Sequence, residues 1–148
     1  MSLVRALAFA ALLLVPVSAV AQTDGDVVYQ LDQMFGSADP FVAAFQGIQN
    51  AVDGGDPDTV AEWVAYPISV DVDGEAMTIS DAETFVEYYD SIVTEDIAQT
   101  IINQRFADLF VNADGAMFGS GEMWLTSICN NEDCTDTDVR IIAIQSME

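Results

Sequence analysis

The sequence contains no histidine and no lysine, and its cations are three arginines, Arg5, Arg105 and Arg140. Without histidine no Ser/His/Asp or Cys/His arrangement can be assembled. The usual side chain for acid–base work near neutral pH is missing, and so is a common metal ligand. Without a cluster of cations the chain cannot hold nucleic acid or anionic head groups, both of which are bound through cation–phosphate contacts. There is no phosphate-loop pattern and no dinucleotide glycine fingerprint. No apolar run is long enough to span a bilayer comfortably, so no membrane anchor is expected. Internal repeats, coiled-coil heptads and low-complexity tracts are also absent.

What is present begins with an address. Arg5 precedes an apolar run from Ala6 to Val15, followed by Pro16 and the small residues Ala19 and Ala21. Charged start, short apolar middle and small-residue cleavage site are the three parts of a secretory signal over 1–21. Residue 22 is Gln and not Cys, so a bacterial-type lipid anchor has no acceptor at the cut. The expected product is a soluble periplasmic or secreted chain starting at Gln22. Residues 22–38 then form an N-terminal segment and 39–148 a single domain, a length that buries roughly two thirds of its unfolded surface without metal.

All 25 acidic residues lie beyond the leader. They are spread along the chain, which reads as a solvated surface suited to salty surroundings. The best calcium candidate is Asp71-Val72-Asp73-Gly74-Glu75. An EF-hand loop around Gly74 would need acids where Ser69 and Ser80 stand. Asp73-Gly74 is instead expected to be a hairpin turn, and no metal or cofactor is expected. Cys129 and Cys134 are separated by four polar residues, and in an oxidising compartment an even pair this close bonds. The spacing is not Cys-x-x-Cys and no cation lies nearby to lower a thiol pKa, which disfavours a redox role.

Periodicity predicts the elements. Val28, Leu31 and Phe35 suggest a short docked helix after a loose start at Gln22–Asp26. Asp39-Pro40 predicts an N-cap and first helical residue, with Phe41, Phe45, Ile48 and Val52 on one face and a stop at Gly54-Gly55. Asp56-Pro57 repeats the start signal for a second helix through Val60, Trp63 and Val64, ending before Pro67. Ile68, Val70 and Val72 alternate as a strand, paired across Asp73-Gly74 with Met77 and Ile79. Ser80 to Glu83 reads as a capping box for a third helix carrying Phe85, Tyr88, Tyr89 and Ile92 on its inner face. Thr94-Glu95-Asp96 opens a fourth, with Ile97 and Ile101 inward. Strands are then expected over 106–111, 116–128 and 139–145, with a bulge or bend at Gly119-Ser120-Gly121 in the middle one.

Helices, a hairpin, another helix and a bent antiparallel sheet make an α+β order. Ala51-Val52, Asp56, Val60, Tyr66-Pro67, Phe85, Tyr89-Asp90, Asp108 to Asn112, Gly115, Gly119 and Gly121 to Trp124 carry a narrower likeness. Over residues 39 to 145 the chain resembles the NTF2-like (cystatin-like α+β cone) superfamily. More narrowly it resembles a group of small exported bacterial proteins of uncharacterised function. The resemblance implies N-terminal helices packed on a bent sheet. It implies no particular activity, because this fold hosts isomerases, dehydratases, cyclases and binding proteins.

Steroid-isomerase-like members use a buried Asp or Glu as base, with a Tyr and a protonated acid as oxyanion donors. Candidate pocket residues of those types are Tyr66, Tyr88, Tyr89, Asp108 and Glu122, with Trp124, Arg105 and Arg140. They match no catalytic motif, so no catalytic role is assigned. Tyr88 and Tyr89 lie on an apolar stripe, and Trp63 and Trp124 are ordinary core anchors as readily as pocket walls. Dehydratase-like members commonly need a His–Asp pair that this chain cannot form. Arg105 and Arg140 have local partners in Asp108 and Asp138; a clamp on an anionic ligand is the sharper alternative, chiefly for Arg105. The expectation is a non-catalytic domain binding a small molecule or a protein, with homodimerisation open. The alternative is a His-free, metal-free isomerase or lyase. A filled cone or an outer apolar patch favours the first, and a buried carboxylate beside a tyrosine favours the second.

Overall fold

A computed structural model describes residues 21–146. The leader expected over 1–21 falls, apart from Ala21, outside the described residues. The architecture is α+β, with six α-helices and two antiparallel sheets among those residues and no closed barrel.

Helix α1 spans Asp24–Phe35 and starts earlier than the apolar spacing suggests. Thr23 is its N-cap and forms a reciprocal capping box with Asp26, so the expected loose start is instead a built helix terminus. Val27 and Leu31 are its buried residues. Helix α2 spans Asp39–Asp53, with Ala38 rather than Asp39 in the cap position and no side-chain cap. The Ala38 amide instead donates to Asp32 Oδ1 at 2.7 Å. Phe41, Phe45, Ile48 and Val52 are buried on one face as the spacing predicts. Helix α3 is Pro57–Glu62, capped by Asp56, whose Oδ1 accepts from the Thr59 amide at 3.1 Å.

Strands β1 (Ile68–Val72) and β2 (Glu75–Ile79) form the first sheet, a hairpin. Asp73 and Gly74 both have positive φ, 56° and 84°, which a tight two-residue turn requires. The expected third helix is two pieces, α4 (Ala82–Glu87) and α5 (Tyr89–Ile92), broken at Tyr88. Its cap is Asp81 and not Ser80: Asp81 Oδ1 takes both the amide and the hydroxyl of Thr84 at 2.8 Å. Helix α6 is Glu95–Asn103, with Ile97 and Ile101 buried.

Residues Phe106–Asp108, expected to begin a strand, form a single 3-10 turn. The second sheet is a meander of β3 (Phe110–Asn112), β4 (Gly115–Phe118), β5 (Met123–Cys129) and β6 (Thr137–Ile144) in sequential order. The stretch 116–128 is thus two strands, not one bent strand. Gly119 and Gly121, at φ 60° and 129°, form the turn that lets Met117 face Trp124. The sheet's irregularity lies elsewhere, between Trp124 and Leu125 against β6. Cys129 and Cys134 form a disulfide across the β5–β6 loop, with Cα atoms 4.8 Å apart.

Helix α2 packs on α3, on α6 and against β6. The half-buried Gln49 ties it to the end of α6 by donating to the carbonyls of Ile101 and Gln104, both at 2.8 Å. Those are carbonyls that a helix end leaves without partners. Beyond α3 the chain runs along the free edge of β6. Ile141 donates its amide to Trp63 and accepts from Ala65, at 2.7 and 2.9 Å, which makes a lone parallel bridge between Val64 and Ile141.

Candidate functional site

The space between helices and sheet is filled. Phe45 from α2 stacks on Phe118 from β4, ring centroids 5.1 Å apart, and meets Phe106 edge-on at 5.3 Å. Phe41, Phe85, Leu125 and Ile141 are also almost wholly buried in the same core. No polar or charged side chain is buried among the described residues.

The eight candidate residues fall into separate places. Tyr66 and Tyr89 meet the buried ring of Phe85 edge-on, at 6.4 and 6.0 Å. The Tyr66 hydroxyl donates to the Ala61 carbonyl at 3.0 Å. Burial, reinforced by the negative charge of Asp81, pushes its pKa up to about 12. Tyr89 is raised in the same direction, mainly by burial and then by Asp90 and Asp56. Tyr88 sits at the break between α4 and α5, half-buried against the core. No buried carboxylate faces these hydroxyls: Asp81 is exposed, and its hydrogen bonds to Thr84 hold it below the usual carboxylate range.

Asp108 lies in the 3-10 turn rather than on the sheet. It forms an exposed pair with Arg105, Nε to Oδ2 3.6 Å, with 72% of the arginine side chain open to solvent. Glu122 is in the β4–β5 turn and accepts from the Ser120 amide at 2.6 Å. Trp124, on β5, packs edge-on to Phe110 at 6.4 Å. The local partners expected for both arginines are therefore the ones found, since Arg140 Nη2 donates to Asp138 Oδ2 at 2.8 Å.

A concavity at the sheet edge is one that periodicity alone does not indicate. A groove of about 480 Å³ is lined by Pro40 and Ala43 of α2, Glu62 and Trp63 at the end of α3, and residues 137–140 of β6. Of the eight candidates only Arg140 lines it. Its guanidinium donates to the Glu62 carbonyl and to Asp138, which pins the end of α3 to β6. The hydrogen bond from Arg140 is the main cause holding the Asp138 carboxyl below its usual pKa. The indole of Trp63 lies against Gly47, where a Cβ would come within 2.7 Å of the ring. The groove thus offers an aromatic wall, small apolar residues and a charge pair, a mix that suits binding.

No family model matches the chain, and neither does any curated protein or solved structure compared with it. What stands is the class: an α+β protein with a filled interior, a disulfide-closed loop and a groove at the sheet edge. No helix among the described residues is long and apolar enough to cross a membrane.

Proposed function

We propose that this chain is an exported, non-catalytic domain with an NTF2-like cone fold, periplasmic or secreted, that binds a small ligand or a protein partner. The observation that carries the reading is the filled interior. An isomerase or lyase of the carboxylate/tyrosine kind needs a reacting group held in a water-poor pocket. Here the corresponding volume holds Phe45, Phe106 and Phe118. Recognition is therefore assigned to the outside, first to the groove beside Trp63. The leader over 1–21 and the Cys129–Cys134 pair support an oxidising, extracytoplasmic location. The order of helices, hairpin, helices and four-stranded meander supports the cone.

Two measurements test this. Intact mass of the exported protein should correspond to a chain starting at Gln22, and a stable cytoplasmic species retaining Met1 would overturn export. Amide chemical-shift mapping with a fragment library should place perturbations at Trp63, Val139 and Arg140 and lose them in Trp63→Ala. Turnover of a ketone or ester in that library, abolished by Tyr66→Phe or Tyr89→Phe, would overturn the non-catalytic reading.

A further inference from the structure

The register of the four-stranded sheet sorts its side chains into rows. Val111, Ala116, Leu125 and Ile141 face one another across all four strands and are at most 7% exposed. The neighbouring row is Phe110, Met117, Trp124 and Ala143, paired in the same way. Strand side chains alternate between faces, so this row lies on the side away from the core. It too is apolar from end to end. Phe110 is 51% exposed, and its ring reaches over the intervening Met117 strand to meet Trp124 edge-on. The irregularity in β6 adds Ile142 beside Ala143, 39% exposed. A soluble sheet face ordinarily carries polar residues at such positions.

The charge around the row selects its occupant. Asp114 is exposed in the β3–β4 turn, at one end of the strands that carry the row. The whole chain carries 25 acids against three cations. A second copy would bring the same acids against these. A chain with lysines or arginines flanking an apolar side chain complements both the apolar row and the net negative charge of the chain.

We propose that the row Phe110–Met117–Trp124–Ala143 is a docking surface for a cationic polypeptide segment that inserts an apolar side chain beside Trp124. This rests on the binding reading above and names its partner by chemistry. The attraction between charges brings the segment in, and burial of the aromatic pair holds it.

The test uses two variants that each retain one tryptophan. Trp63→Phe leaves Trp124 reporting on the sheet face, and Trp124→Phe leaves Trp63 reporting on the groove. The probe is a short synthetic peptide of alternating lysine and leucine, with a glutamate–leucine peptide as control, at about 0.15 M salt. The lysine peptide should produce a saturable blue shift of Trp124 fluorescence, and the control none. Phe110→Ser and Ile142→Ser change exposed side chains, so they should leave circular dichroism unaltered while weakening the peptide about tenfold. Affinity unchanged in both variants would show attraction by net charge alone and overturn the proposal. So would the absence of saturable binding, or sedimentation showing a homodimer that Phe110→Ser disperses. A response confined to Trp63 overturns the sheet-face assignment yet leaves the binding reading standing.

Discussion

Replacing Phe118 by alanine tests the filled interior directly. Phe118 is fully buried and stacks on Phe45 at 5.1 Å. Deleting a buried phenyl ring loses its transfer free energy and leaves a cavity, together about 3–5 kcal/mol. The lost stack adds about 1 kcal/mol. Against a total stability of about 5–15 kcal/mol the variant is folded but much weakened. Urea unfolding followed by circular dichroism should show a lower midpoint with an unchanged slope. The milder Phe118→Leu should lose less, which keeps the series informative if alanine fails to fold. An apolar cavity beside Phe45 and Met123 should stay dry and admit benzene. Benzene should therefore raise the melting temperature of Phe118→Ala and leave the wild type unmoved. A loss below about 1.5 kcal/mol, or an equal benzene response in the wild type, would mean a hollow already exists and would refute the argument.

The two cysteines should give no free thiol in unfolded, unreduced protein, and the Cys129→Ser/Cys134→Ser double variant should cost about 2 kcal/mol because the closed loop is small. Arg105→Ala should cost less than about 1 kcal/mol by denaturant unfolding, since its pair with Asp108 is exposed. Arg140→Ala should cost more than Arg105→Ala, because it frees both Asp138 and the Glu62 carbonyl; equal losses would show that Arg140 does not pin α3 to β6. Tyr66 has a folded pKa of about 12, above its ordinary 10.0, so its contribution is full below pH 10 and fades as pH rises to about 12. The stability gap between wild type and Tyr66→Phe should narrow across that window, and a constant gap would show that the hydroxyl is not held neutral. Replacing Asp81 by alanine should lower the melting temperature, while Ser80→Ala should leave it unchanged, if Asp81 is the cap.

Local signals account for much of this architecture. The alternation of Ile68, Val70 and Val72 and the Asp73-Gly74 turn are legible because strand period and turn chemistry agree. Helix α2 is legible because its apolar stripe is long. Two capping choices were readable but ambiguous. Thr23-Asp24-Gly25-Asp26 has the spacing of a capping box, weakened to the eye by Gly25 inside the helix. At Ser80-Asp81 two adjacent residues are both good caps, and Thr84 decides between them through its hydroxyl. The break at Tyr88 carries no glycine or proline. Gly119-Ser120-Gly121 suits a bend as well as a turn, and only the pairing of Met117 with Trp124 separates the two. The candidate site was the least legible part. Arg140 and its partner Asp138 are two residues apart in sequence, but the groove also needs Pro40 and Trp63 from distant segments, and no local pattern brings those together.

The strip of chain along β6 has a bearing on how the protein behaves in acid. Acid weakens the repulsion between like-charged copies as carboxylates take up protons. Mutual repulsion then no longer prevents strand edges from meeting, and an open edge of backbone donors and acceptors is a template for further strands. On β6 the Ile141 amide and carbonyl are already engaged by Trp63 and Ala65. At the opposite margin β3 is only three residues long. The sheet thus has one border of three residues and another engaged at Ile141 by backbone hydrogen bonds, local obstacles to fibre growth that do not titrate.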